Sequence, residues 1–387
     1  MKILHTVEFY EPSHGGMQEV VKQISERLVK YGHSVTVATS KHSERTVSTI
    51  NRVAIKEFDI SGNLVNGFNG VDIESYQQYL LNSDFDIVIN FAAQQWATDL
   101  MLPLLPCINA KKVSVPTGFS GLFLSSYQDY FENMKTWMKQ YDVNIFHTTT
   151  FQDIEFAKKN GIDNYVVISN GASEEEFGSE TGIDARKMLK IPDNRFLILF
   201  VGSFDGRKGH AEAIEIFKKA NIMNATLVIT GSVYSKRLFW ETKIKAALSR
   251  INTMNKSILV MTSLPRPFIV ELYKESDLFL FPSTWECSPI VLFESMAAGT
   301  PFLVTDVGNS KEIIEWSHCG TLLPTIKDEI GYSHVDIDKS SKVLEDLHRD
   351  SKNLEQMGKQ GYISWKNSFT WDIIAKKYES TYKHLLE

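Results

Sequence analysis

A chain of 387 residues, 43% hydrophobic and 23% charged, has the composition of a soluble globular protein and exceeds the size at which one core keeps growing, so two domains are expected. Its net charge of -6 argues against nucleic acid as a partner, because such interfaces are basic. Cys107, Cys287 and Cys319 are too few and too widely spaced for a disulfide framework or a zinc pattern, which fits a reducing cytoplasm. The opening "MKILHTVEFYEP" is too short in apolar residues for a signal peptide, and no apolar run approaches the ~18 to 20 residues that span a bilayer, so any membrane contact would be peripheral.

The first forty residues read as strand, helix, strand. "KILHTVEF" is a buried strand and "EPSHGG" a turn, after which Met17, Val20, Val21, Ile24 and Leu28 recur down one helical face. Gly32-His33 stops that helix before the strand "SVTVAT". "FDIVINFA" and "KVSVPTG" continue the alternation, predicting a parallel sheet with helices on both faces. Residues 119 to 141 are crowded with aromatics. They read as a helix covering this sheet, and Asp129 and Glu132 weigh against a basic, membrane-facing surface.

From residue 178 to 195 the pattern loosens into "GSETGIDARKMLKIPDNR", the expected boundary. It implies a first domain of 1–182 with 366–387 and a second of 183–365. "FLILFVGS", "ATLVITGS", "SILVMT", "DLFLFPS" and "PFLVTDVG" then give a second strand–helix series. The chain ends in a helix whose Trp371, Ile374, Tyr378, Tyr382 and Leu385 share a face. Two such halves predict a ligand crevice between them.

Two segments of the second half carry candidate chemistry. In "FVGSFDGRKGHAEAIEIF" a strand runs into a turn bearing Gly202, Gly206 and Gly209, where backbone can approach a phosphate and Arg207 and Lys208 supply countercharge. In "WECSPIVLFESMAAGTP" Ser288 reads as an N-cap and Pro289 as the first helical residue, with Gly299 and Pro301 closing the helix. The N–H groups from Ile290 to Leu292 are then placed to meet a diphosphate. Glu294, one turn further, suits vicinal hydroxyls such as those of a ribose, and Glu286 precedes the cap, within reach of a sugar beyond the phosphates.

"E286-CSPIVLF-E294" resembles the E-x7-E element of the retaining glycosyltransferases of family 4. Gly15-Gly16 is similar to that family's first-loop glycine pair, "SNGAS" (169–173) to its Asn-Gly turn, "VGSFDGRKG" to its phosphate-binding turn and "FTWDIIAKKY" to its closing helix. The resemblance covers essentially the whole chain. It implies an α/β, GT-B fold: two Rossmann-like domains facing across a cleft, with the C-terminal helix crossing back to an N-terminal acceptor-binding domain. It also implies a nucleotide-diphosphate sugar as donor, no metal or other cofactor, and a glycan or lipid-linked acceptor in bacterial surface polysaccharide or lipopolysaccharide synthesis at the inner face of the membrane.

By position, Lys208 would sit on the diphosphate, Glu294 on the ribose and Glu286 near the donor sugar. Gly202 and Ser203 would flank the phosphates, and Cys287, Ser288, Pro289, Ile290 and Val291 would offer backbone to sugar and phosphates. Gly15 and Gly16 would close over the diphosphate, with Asn170 at the same site. Two departures stand out. Ser203 occupies the place of a phosphate-binding arginine, leaving Arg207 or Arg266 to replace it. Thr117-Gly118 stands where relatives carry a histidine before a glycine, leaving His14 or His5 for that contact to the sugar or acceptor. Asp84-Phe85-Asp86 is a D-x-D, but at the entry to "DIVINFA" it reads as a strand start and not a metal site. A nucleotide-sugar epimerase or phosphorylase on the same scaffold, or a non-catalytic sugar-nucleotide-binding subunit, are the rival readings.

Overall fold

The apolar runs form parallel strands because each is buried on both faces, and their crossover helices supply the cover. A computed structural model describes residues 1–249 and 255–387. The chain divides into two units, residues 1–170 with 371–387 and residues 171–370.

In the first unit, Lys2–Thr6 is a central strand of an eight-stranded sheet. Ser34–Ser40 and Val53–Phe58 pair on one side of it, and Ile87–Phe91, Lys111–Val115, Val143–Phe146 and Tyr165–Val167 follow on the other, all parallel. The helix Gly16–Lys30 makes the first crossover and buries Val20, Val21, Ile24 and Leu28. The terminal helix Trp371–Leu386 lies against it. Trp371, Ile374, Tyr378 and Tyr382 are fully buried, and Leu385 is half-buried. The Tyr31 hydroxyl donates to Asp372 at 2.7 Å, and His33 meets Glu379 at 2.8 Å, fixing the start and the middle of the helix.

The aromatic segment resolves as expected over Gln128–Gln140, whose Tyr130, Phe131, Met134 and Met138 join the core under the sheet. Asp84 and Asp86 sit at the strand's start, where Asp86 accepts the Lys2 N–H at 2.7 Å and Asp84 pairs with the Lys2 ammonium.

The second unit has six parallel strands in the order Lys256–Val260, Ala225–Thr230, Phe196–Val201, Leu278–Phe281, Phe302–Val304 and Gly320–Leu322. The chain winds outward from Phe196–Val201 in one direction, then returns beside it at Leu278–Phe281 and winds outward in the other. That reversal, at the carboxyl ends of two neighbouring strands, is the usual ligand position in such sheets.

The units part at residues 170/171 and 370/371, and not at 182/183 and 365/366. Residues 171 to 182 belong with the second unit because Ala172 donates to Phe369 O at 3.0 Å and Phe177 is buried in that core. The polar stretch 178–195 also docks there: Arg186 donates to the carbonyl of Glu275 at 2.9 Å, and Ala185 and Ile191 are buried.

Candidate active site of the second unit

The loops after Phe196–Val201 and Leu278–Phe281 are stapled to each other. The carbonyl of Arg207 accepts from the Thr284 N–H at 2.8 Å and the Thr284 hydroxyl at 3.0 Å. Gly209, just before the helix His210–Lys219, has φ +78°, and a Cβ there would lie 2.0 Å from the Pro282 carbonyl oxygen, so only glycine lets the two loops close. The staple brings Lys208 to Glu286, Nζ to Oε1 at 2.7 Å, and the Ser283 hydroxyl donates to the same oxygen at 2.8 Å.

An ammonium has three protons to donate, so the Glu286 bond aims Lys208 without exhausting it. Arg207 points elsewhere: its guanidinium lies 3.7 Å from Asp205 and over the Trp285 ring, and it is half exposed. Ser203 donates to Asp205 at 2.9 Å, and Asp205 in turn accepts the Arg207 N–H at 2.9 Å. The glycine turn is thus shaped by a local Asp. His210, stacked on Phe204, meets the Gly202 carbonyl at 3.3 Å, and burial pushes its imidazole down to about 4, so it is neutral at pH 7.

The helix Ile290–Ala298 starts one residue later than the sequence suggests, with Pro289 in the cap position. Ser288 does not cap it, because its hydroxyl accepts from the Asn309 side chain at 3.2 Å. The Leu292 N–H is taken by the Pro289 carbonyl at 3.2 Å, so of the three N–H groups the sequence offered to an anion, Ile290 and Val291 remain. Gly299, with φ +72°, closes the helix as expected. Residues 305 to 309 press on the segment before it. Asn309 donates its N–H to Cys287 O at 3.0 Å, and a Cβ on Gly308 would lie 2.1 Å from that same oxygen.

Glu294 is buried, and its carboxylate is occupied. Arg266 Nη2 donates to Glu294 Oε1 at 2.5 Å and to Glu176 Oε2 at 2.7 Å, while its Nε reaches both Glu176 oxygens at 3.2 Å. Burial opposes the guanidinium charge, but the two carboxylates outweigh it and hold Arg266 protonated well above its ordinary range. Arg266 is therefore the clamp of Glu294, which the sequence did not foresee. Glu176, 90 residues away in the chain, had no signal; Ser283 and Thr284 did, as polar residues at the carboxyl end of a strand.

The remaining candidates belong to the first unit. Gly15 and Gly16 open the helix that follows the first strand, and His14 beside them is exposed. Thr117 and Gly118 both have positive φ, +60° and +104°, after the strand Lys111–Val115, and the Gly118 N–H donates to Asp153 at 2.9 Å. His5 does not serve as a sugar contact: it is fully buried, bonds the Ser25 hydroxyl at 2.7 Å, and burial pushes it down to about 3. Asn170 is buried at the end of the unit.

Residues 183–363 match the family model described as glycosyl transferases group 1. The matched segment takes in most of the second unit. A glycosyltransferase of Methanocaldococcus jannaschii, itself uncharacterized, is 31% identical to the chain over 235 residues, covering 58% of this chain and 55% of that one. The chain thus spans about half the length of the first curated relatives it matches. The lipopolysaccharide glucosyltransferase WaaG of Escherichia coli is 24% identical, covering 80% and 82%.

Among solved structures, sucrose-phosphate synthase from Thermosynechococcus elongatus superposes with a TM-score of 0.80 at 17% identity, covering 100% of this chain and 99% of that one. Anabaena HepE in complex with UDP-glucose superposes with a TM-score of 0.75 at 13% identity, covering 99% and 100%. The fold is that of the GT-B glycosyltransferases. Both the glycine turn with Lys208 and the helix carrying Glu294 lie inside the matched segment.

Proposed function

We propose that the protein is a retaining, metal-independent glycosyltransferase of the family 4 type, moving a sugar from a nucleotide-diphosphate sugar to a hydroxyl of a glycan or lipid-linked acceptor. The second unit binds the donor and the first the acceptor, in the cytoplasm, in synthesis of a bacterial surface glycan. The observation that carries this reading is the convergence of Lys208, Glu286 and the start of the helix Ile290–Ala298 on the strand-order reversal, with Glu294 one turn into that helix.

Lys208 and the N–H groups of Ile290 and Val291 stabilise the charge that develops on the departing diphosphate, the part a cation plays in other enzymes. The bond from the anomeric carbon to the β-phosphate oxygen breaks, and that oxygen takes the proton of the acceptor hydroxyl as the new glycosidic bond forms on the same face. Glu286, already engaged by Lys208 and Ser283, acts by position and charge and forms no covalent intermediate. Glu294 receives ribose hydroxyls while Arg266 holds one of its oxygens.

The test is turnover of nucleotide-diphosphate sugars after EDTA treatment, with the anomeric configuration of the product read by NMR. Retained configuration with activity intact in EDTA is the expected outcome; inversion, or activity restored only by a divalent cation, contradicts it. A product formed without acceptor, or one needing inorganic phosphate, would favour an epimerase or a phosphorylase.

A further inference from the structure

The helix Lys236–Ser249 of the second unit packs Phe239 against the core but turns a second apolar stripe outward. Its buried positions are Thr242, Ala246 and Ser249, small or polar residues. Trp240, Ile244 and Leu248, spaced one helical turn apart, are 56%, 57% and 62% exposed. Scattered exposed apolar residues are ordinary, but a stripe of three large ones on one helix face marks a surface that something covers. The flanks of the stripe are basic. Lys236, Arg237, Lys243 and Lys245 against the single acid Glu241 give this helix a net positive charge on a chain whose net charge is -6; Arg237 pairs with Glu241 and Lys245 with Glu215, which leaves Lys236 and Lys243 as the main cations of the flank. Lys243 Nζ lies 5.1 Å from the centroid of the Trp240 ring, so charge and aromatic form one surface.

Beside the helix is a groove of about 380 Å³, lined by apolar atoms of Met188, Ala246, Ile258 and Val260 and by two exposed lysines, Lys190 and Lys243. An apolar trough with cations beside it suits an acyl chain with an anionic head. We propose that this face docks on an anionic phospholipid bilayer, with Trp240, Ile244 and Leu248 entering the headgroup–acyl boundary and the basic residues meeting lipid phosphates. A second copy of the chain would satisfy the apolar stripe but would oppose one cationic flank with another. Charge therefore favours the lipid surface. None of these residues belongs to the donor site, so the proposal stands or falls apart from the catalytic reading.

The experiment is co-sedimentation of the full chain with vesicles of phosphatidylglycerol and phosphatidylcholine in equal parts, and with phosphatidylcholine alone. The wild type is expected to bind the anionic vesicles and to be released by high salt. Replacing Trp240, Ile244 and Leu248 together by serine should reduce partitioning by roughly tenfold or more. Lys236→Glu with Arg237→Glu, which leaves the core untouched, should cost about fivefold for each basic residue removed. Nucleotide-induced stabilisation should be unchanged in the serine variant, which separates this surface from the donor site. Binding that ignores both sets of substitutions overturns the proposal, and so does a wild type that does not bind. Self-association abolished by the serine variant, with no vesicle binding, would make the face an interface between copies instead.

Discussion

The ammonium of Lys208 and the carboxylate of Glu286 meet at 2.7 Å across the two loops that flank the strand-order reversal of the second unit. Both side chains are largely covered, with 21% and 12% of their surfaces exposed. The pair therefore fixes two functional groups in one geometry before any ligand arrives. This is preorganisation of the kind that favours a transition state over a ground state.

Glu286→Gln keeps the shape and the Ser283 contact but removes the charge that aims Lys208. A fall in kcat of about 10² to 10³, with donor affinity changed far less, is expected from the electrostatic role. Pre-steady-state kinetics with separate binding measurements read this split. Loss of all turnover, with a glycosyl-enzyme trapped by the wild type and absent from the variant, would point to a nucleophile instead.

Removing Arg266 strands a buried carboxylate. Arg266→Met should destabilise the second unit by about 2 to 3 kcal/mol, somewhat below the usual cost of breaking a buried pair because the arginine is 37% exposed. Adding Glu294→Gln should recover part of that loss, and a denaturation double-mutant cycle gives the coupling. Strict additivity would mean that the two side chains do not interact in solution.

Gly209→Ala asks a side chain to occupy both a left-handed φ and the Pro282 carbonyl. A loss of roughly 2 to 4 kcal/mol is expected, with the Lys208–Glu286 contact disturbed and donor affinity lowered. Gly206→Ala, also at positive φ but with only the tip of Leu238 near its added Cβ, should cost less. Equal penalties at the two positions would show that the loop staple is unimportant.

His210 carries a pH dependence of definite sign. Its folded-state pKa, about 4, lies below the ordinary value of 6.5 because burial disfavours the cation. It therefore contributes stability present above pH 6.5 and lost as the pH falls toward 4, on the order of 3 kcal/mol in all. His210→Gln can keep a donor for the Gly202 carbonyl and should flatten that limb of the melting-temperature profile. A variant with the wild-type slope would place the acid lability elsewhere.

Much of this was legible from local pattern. The strand–glycine–helix turn, the Gly299 stop and the buried face of the terminal helix each follow from residues within a few positions of one another. What was not legible depends on long-range pairing. Ser288 has the chemistry of a cap, but Asn309 takes its hydroxyl, and the helix start shifts by one residue. Arg266 looked like a phosphate ligand because its charge is visible in the sequence, while its engagement by Glu176 and Glu294 is a tertiary fact.

The central claim is a nucleotide-sugar site in which Glu294 reads the ribose. It is tested most directly by thermal shift of wild type and Glu294→Ala with UDP, GDP, ADP and dTDP and their common sugars. At ~100 times its Kd, one nucleotide series should stabilise the wild type by ~2.7 kcal/mol, roughly 5 to 10 °C for a unit of this size, and leave the variant unmoved. No shift with any nucleotide, or the same shift in the variant, would contradict it.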